Sequence, residues 1–121
     1  MDPFGKAIVR CKSILKHDLG NIMVGVESEE FISKYEKKLK ERILQASLPI
    51  GNQYLLLNSF LPLSNQKIKD KASKLVESLK NFWEATLAEE KDIKLKEIHS
   101  NYKKLMADYE GIYEFYTLKT N

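Results

Sequence analysis

Phe4, Ile8, Cys11, Leu15 and Leu19 recur at spacings of three and four, and Ala7 and Ile14 widen the stripe. That period belongs to a helix that buries one face. Asp2-Pro3 stands ahead of it; Asp is a favoured N-cap, and Pro suits the first helical position because its missing N–H would have no partner there. Gly20-Asn21 reads as a stop, since Gly enters the left-handed C′ conformation without a Cβ penalty. The pattern therefore predicts a helix over 3–19. Ile22-Met23-Val24-Gly25-Val26 is apolar without clear alternation and reads as a buried connector.

Ser28 is a good N-cap, with Glu29 and Glu30 in the positive first turn. Ile32, Tyr35, Leu39, Ile43 and Ala46 form a second stripe, which predicts a helix over 29–46. Leu48-Pro49-Ile50-Gly51-Asn52 should break it, because an interior Pro removes a hydrogen bond and clashes with the preceding turn. A short helix near 53–61 follows, stopped by Pro62. Two longer patterns come next: Ile68, Ala72, Leu75, Leu79, Phe82 and Thr86, then Leu95, Ile98, Tyr102, Leu105, Tyr109, Ile112 and Tyr116. Each is a heptad seam of the coiled-coil kind, but on one straight helix they would differ in direction by more than roughly 100°. Either the chain turns near Glu89-Glu90-Lys91-Asp92, giving helices over 65–89 and 93–118, or one helix of about 50 residues changes partner midway. Length favours the turn. The expected fold is all-α, a single helical bundle of three to four main helices formed by one domain over 1–121.

Composition agrees. The 121 residues are 43% hydrophobic and 31% charged, with only 5 Gly and 3 Pro, a balance that suits long helices rather than a loop-rich sandwich. The net charge is +3. The excess is small in both halves: 9 basic against 7 acidic residues over 1–64, and 11 against 10 over 65–121. That is modest for a dedicated nucleic-acid binder. A single cysteine excludes an internal disulfide framework. No secretory leader, N-glycosylation acceptor or membrane-length apolar run is visible, so the sequence reads as intracellular, cytoplasmic with a nuclear location open, and without a transmembrane segment.

Candidate chemistry is sparse. His17-Asp18-Leu19-Gly20-Asn21 resembles the phospho-accepting box of histidine-kinase dimerisation helices. That resemblance implies His17 as phosphoryl acceptor, with Asp18 orienting the ring or taking a proton. The family's helix runs on through its box, whereas Gly20-Asn21 and Pro49 predict breaks here. The stand-alone phosphotransfer bundles carry Lys and Gly where this chain has Gly20 and Asn21. The preferred reading of His17 is a surface histidine near a helix end, and of His99 a surface or boundary histidine. No Glu-x-x-His or His-x-x-x-His pair offers a metal site, no phosphate loop or catalytic constellation is recognisable, and no cofactor is expected. Cys11 lies on an apolar stripe and reads as a small hydrophobe.

Two surfaces remain. Lys6, Arg10 and Lys12 on the first helix and Lys37, Lys38 and Arg42 on the second could meet phosphates, although charge runs of this kind more often form solvated faces. The last helix is denser in aromatics. Tyr102, Tyr109, Tyr113 and Tyr116, with Ile112 and with Trp83 on the preceding helix, suit an interface as well as a core. The sequence therefore predicts a non-enzymatic interaction or structural module that associates with itself or joins a larger assembly through its aromatic C-terminal helix. The alternatives are a phosphotransfer element using His17 and a small nucleic-acid-binding protein.

Overall fold

The N-terminal cap forms as the sequence requires. In the computed structural model, which describes residues 1–88 and 94–118, Gly5 N–H donates to Asp2 Oδ1 at 2.7 Å and Pro3 opens α1, Pro3–Arg10. The expected stop at Gly20-Asn21 does not occur. The chain continues as a π-helical stretch, Ser13–Leu19, and then as α2, Gly20–Val26. Gly20 has right-handed φ and ψ of −56° and −42°. The reason is tertiary: Ile22, Met23 and Val26 are all buried, so carrying the helix onward keeps their backbone paired while their side chains enter the core. In the segment read as a buried connector, Ile22, Met23 and Val26 are buried while Val24 is exposed, and the whole of it is helical.

A second correction follows in α3, Glu29–Phe60, a helix of 32 residues. Ser28 caps it, accepting from Phe31 N–H at 3.2 Å. It then runs through Pro49 and absorbs the segment expected as a separate short helix. An interior proline costs about 3 kcal/mol. Beyond it, Ile50 and Leu57 extend the buried row begun by Leu39 and Ile43. Each such burial contributes roughly 1.5–3 kcal/mol, enough to offset the proline. Pro49 itself faces solvent, and Ser47 Oγ donates to the Leu44 carbonyl at 2.7 Å in the turn before it. Tyr35 is the one departure from helical geometry within α3, at φ −128° and ψ 22°.

Two single turns of 3₁₀ helix, Leu61–Leu63 and Gln66–Ile68, lead into α4, Lys69–Ala88; α5 spans Leu95–Leu118. The last two are separate helices packed against each other. Their direction is fixed by two contacts. Ser78 Oγ donates to Asp108 near mid-helix, and Asn65 N–H donates to Tyr116 Oη at 3.2 Å where α4 approaches and α5 ends. They are therefore antiparallel, the arrangement that length favoured over one long helix. The turn expected at Glu89 to Asp92 lies outside the described residues.

The fold is an all-α helical bundle, with no strand among the described residues. α4 packs on α3 and α5, and the α1–α2 arm packs on α3 and α5. Phe4, Ile8, Leu15 and Leu19 meet Leu57, Leu75, Phe82, Leu105 and Tyr109 in one continuous core. No described helix is long and apolar enough to cross a membrane.

Candidate interaction surfaces

The tyrosine seam of α5 turns inward. Tyr109, Ile112 and Tyr116 are buried. Tyr109 Oη donates to the Ile8 carbonyl at 2.9 Å, and the Cys11 thiol donates to the same carbonyl at 3.3 Å. Tyr116 Oη donates to Asp2 Oδ2 at 2.9 Å while accepting from Asn65. These hydroxyls tie α5 to the first turns of the chain, so their rings are held in the core and offer no free face. Of the two places that suited these residues, core and interface, Tyr109, Ile112 and Tyr116 occupy the core within the chain: an apolar ring with a polar tip can end its burial on a backbone carbonyl as readily as in water. Burial pushes the Cys11 thiol up to about 12. It also raises the Tyr109 phenol, with Cys11 adding to the effect. Tyr116 is pushed up to about 12, chiefly by burial; the Asn65 N–H opposes the rise and the Asp2 carboxylate adds to it.

The other three aromatic candidates are half-buried and spread over different places. Tyr113 stacks at 5.7 Å from Tyr109 and carries Lys12 over its ring at 5.1 Å. Tyr102 lies beside Gly20, where an added Cβ would stand 3.3 Å from its hydroxyl; burial, then Glu110 and Glu27, raise its pKa. Trp83 belongs to another face. It rests on Gly51 of α3, whose absent side chain makes room for the indole: a Cβ there would fall 2.5 Å from the ring. Tyr54 packs beside it at 5.7 Å.

His17 is exposed in the π-helical stretch, next to exposed Asp18. His99 is largely covered and faces Glu27 Oε1 at 3.2 Å, linking α5 to the corner before α3. Among the described residues no group of His, Cys, Asp and Glu converges as a metal ion would need. A polar notch of about 390 Å³ between α4 and α5 is lined by Lys74, Glu77, Ser78, Lys104 and Asp108, and its Ser78 hydroxyl is already held by Asp108.

Of the basic candidates, Lys6, Arg10, Lys37, Lys38 and Arg42 are exposed, while Lys12 is half-buried over Tyr113. Lys16, on the same stretch, pairs with Glu110 at 3.3 Å. The basic side of the N-terminal arm is thus partly engaged within the molecule, whereas on α3 Lys37 and Lys38 border one shallow hollow and Lys38 and Arg42 lie one turn apart.

The surface that the sequence reading missed is the second half of α3. Leu48 is 71% exposed and Leu55 56%, and Leu56, with Leu63 just after the helix and Leu87 at the end of α4, is also exposed. On a straight helix Leu48, Leu55 and Leu56 lie about 120–160° away from Ile50, on the side opposite the core. The signal that could have found them was the apolar run on both sides of Pro49: it is too rich in leucine for one buried face. No protein-family model, curated protein or solved structure matches this chain.

Proposed function

We propose that the protein is a non-enzymatic helical interaction module that self-associates through the outer leucine face of α3. The observation that carries this reading is the set of exposed leucines at 48, 55 and 56 of α3. Isolated apolar residues on a surface are ordinary, but neighbouring ones on a single element mark a surface that gains by being covered. This moves the expected interface from α5, whose aromatic residues are used internally, to α3. Sedimentation over a range of concentrations tests it. The wild type should exceed its 14.0 kDa monomer mass as concentration rises, and Leu48→Glu/Leu55→Glu should remain monomeric with an unchanged helical circular-dichroism spectrum. A wild type that stays monomeric at every concentration would remove self-association.

A second reading is favoured by one finding. The helix runs on through Gly20-Asn21 and α3 runs through Pro49, so two features that set the His17 region apart from a phospho-accepting helix are gone. His17 also lies in a π-helical stretch, a geometry frequent at functional sites. A phosphoryl group accepted from a small phosphodonor should appear as an acid-labile, base-stable label that His17→Gln abolishes. Absence of the label ends this reading.

A further inference from the structure

The first half of α3 displays a different chemistry. Phe31, Lys34, Tyr35, Lys38 and Arg42 follow one another at three- and four-residue spacings, and all five are exposed. Counted along an unbroken helix they fall within an arc of about 100°; the backbone departs from helical geometry at Tyr35, and Lys34, Tyr35 and Lys38 line one hollow across that departure. Glu30 and Glu41 border that arc on one side; Glu36 lies beyond the other and is held by Lys40 at 3.2 Å. Glu29 is drawn toward Lys96 at 3.8 Å. Lys34, Lys38 and Arg42 thus outnumber the two bordering glutamates, Glu30 and Glu41, although the chain as a whole carries only +3.

The aromatic pair within it is braced. The Phe31 and Tyr35 rings lie 4.6 Å apart at 44°. Phe31 is backed by Gly25, where a Cβ would meet its ring at 2.8 Å. Tyr35 leans on Phe31 where the α3 backbone departs from helical geometry. Shallow hollows of about 320 and 350 Å³ flank Tyr35, one shared with Ser28, Phe31 and Glu30, the other with Lys37, Lys38 and Glu41, and Lys34 borders both.

We infer that this stripe binds single-stranded nucleic acid, with bases stacking on the Tyr35–Phe31 pair and Lys34, Lys38 and Arg42 meeting successive phosphates. Exposed rings supply the sequence-tolerant stacking that single strands use, and an adjacent cationic track follows the backbone. Lys38 and Arg42, one helical turn apart beyond Tyr35, stand about 6 Å apart along the axis, a spacing that suits an extended strand. A duplex would leave the rings idle, because its bases are already stacked. A membrane surface would need aliphatic depth, and in this half of α3 Leu39 is buried and Ile32 half-buried. The inference uses a surface separate from the leucine face and stands independently of it.

Fluorescence anisotropy of the full chain with short labelled oligo(dT) and oligo(U) tests it. Binding should weaken with salt at a log–log slope near about −2, the value for three phosphate contacts on a single strand. Tyr35→Ala should weaken binding by about tenfold or more, the loss of one stacked base, while Tyr35→Phe retains it and Lys34→Glu/Lys38→Glu abolishes it, all with unchanged circular dichroism. Absent binding at low salt, equal affinity of Tyr35→Ala and wild type, equal affinity for a duplex, or preference for poly-glutamate or anionic vesicles would each overturn the proposal.

Discussion

The aromatic seam of α5 and the outer face of α3 look alike as sequence and end in opposite places. Both are rich in large apolar and aromatic residues at helical spacing. In α5 those residues close onto the N-terminal arm: Tyr109 reaches the Ile8 carbonyl and Tyr116 reaches Asp2. In α3 the inward row is filled by Leu39, Ile43, Ile50 and Leu57, so the remaining apolar and aromatic side chains are left outside. Density of aromatic residues thus marks where contact area is available, not whether the chain itself has already used it.

The contrast can be broken at several points. The largest effect is expected at Tyr109, which is fully buried. Tyr109→Ala should cost about 3–5 kcal/mol in urea unfolding, through lost transfer energy and the cavity left behind. If it costs no more than a surface substitution, the seam is not in the core. Alkali should reach the same region next. Cys11 and Tyr116 keep their protons up to about 12 in the folded chain and lose them near 9 and 10 when unfolded. Their contribution is fully present below those unfolded values and is lost as pH rises toward 12, because the unfolded state then binds fewer protons. Stability measured from pH 8 to 12 should fall, and Tyr116→Phe should make the fall shallower; an unchanged slope would separate Tyr116 from this effect.

A smaller effect is expected where α3 meets α4. Gly51→Ala places a Cβ against the Trp83 indole and should destabilise by about 1–3 kcal/mol, the usual range for overpacking, with a shift in tryptophan emission. The smallest belong to the displayed face: Leu55→Ala and Tyr35→Ala should change stability by within about 0.5 kcal/mol. A loss at either position comparable with that of Tyr109→Ala would mean that the outer face of α3 is packed rather than displayed.

Much of the fold was legible because it depends on local chemistry. The Asp2-Pro3 and Ser28 caps, the inward rows of α1 and α4, and the change of register between the last two seams all follow from residue spacing and capping, while the choice of two helices over one long one rested on length. The breaks were misread at Gly20 and Pro49 for one shared reason. A local preference worth about 1–3 kcal/mol was outweighed by burial of Ile22, Met23 and Val26 in one case, and of Ile50 and Leu57 in the other. The basic residues of α3 were visible as a run. Their alignment with Phe31 and Tyr35 on one braced face was not, because Gly25 supports Phe31 from another helix.

The sequence by itself determined that this chain is helical, where α1 and α3 are capped, and which residues are apolar enough to require cover. Only the tertiary structure decided which of those residues receive it. Burial depends on what packs against a face, and an intramolecular partner such as Ile8 for Tyr109 lies 101 residues away, beyond the reach of any local pattern.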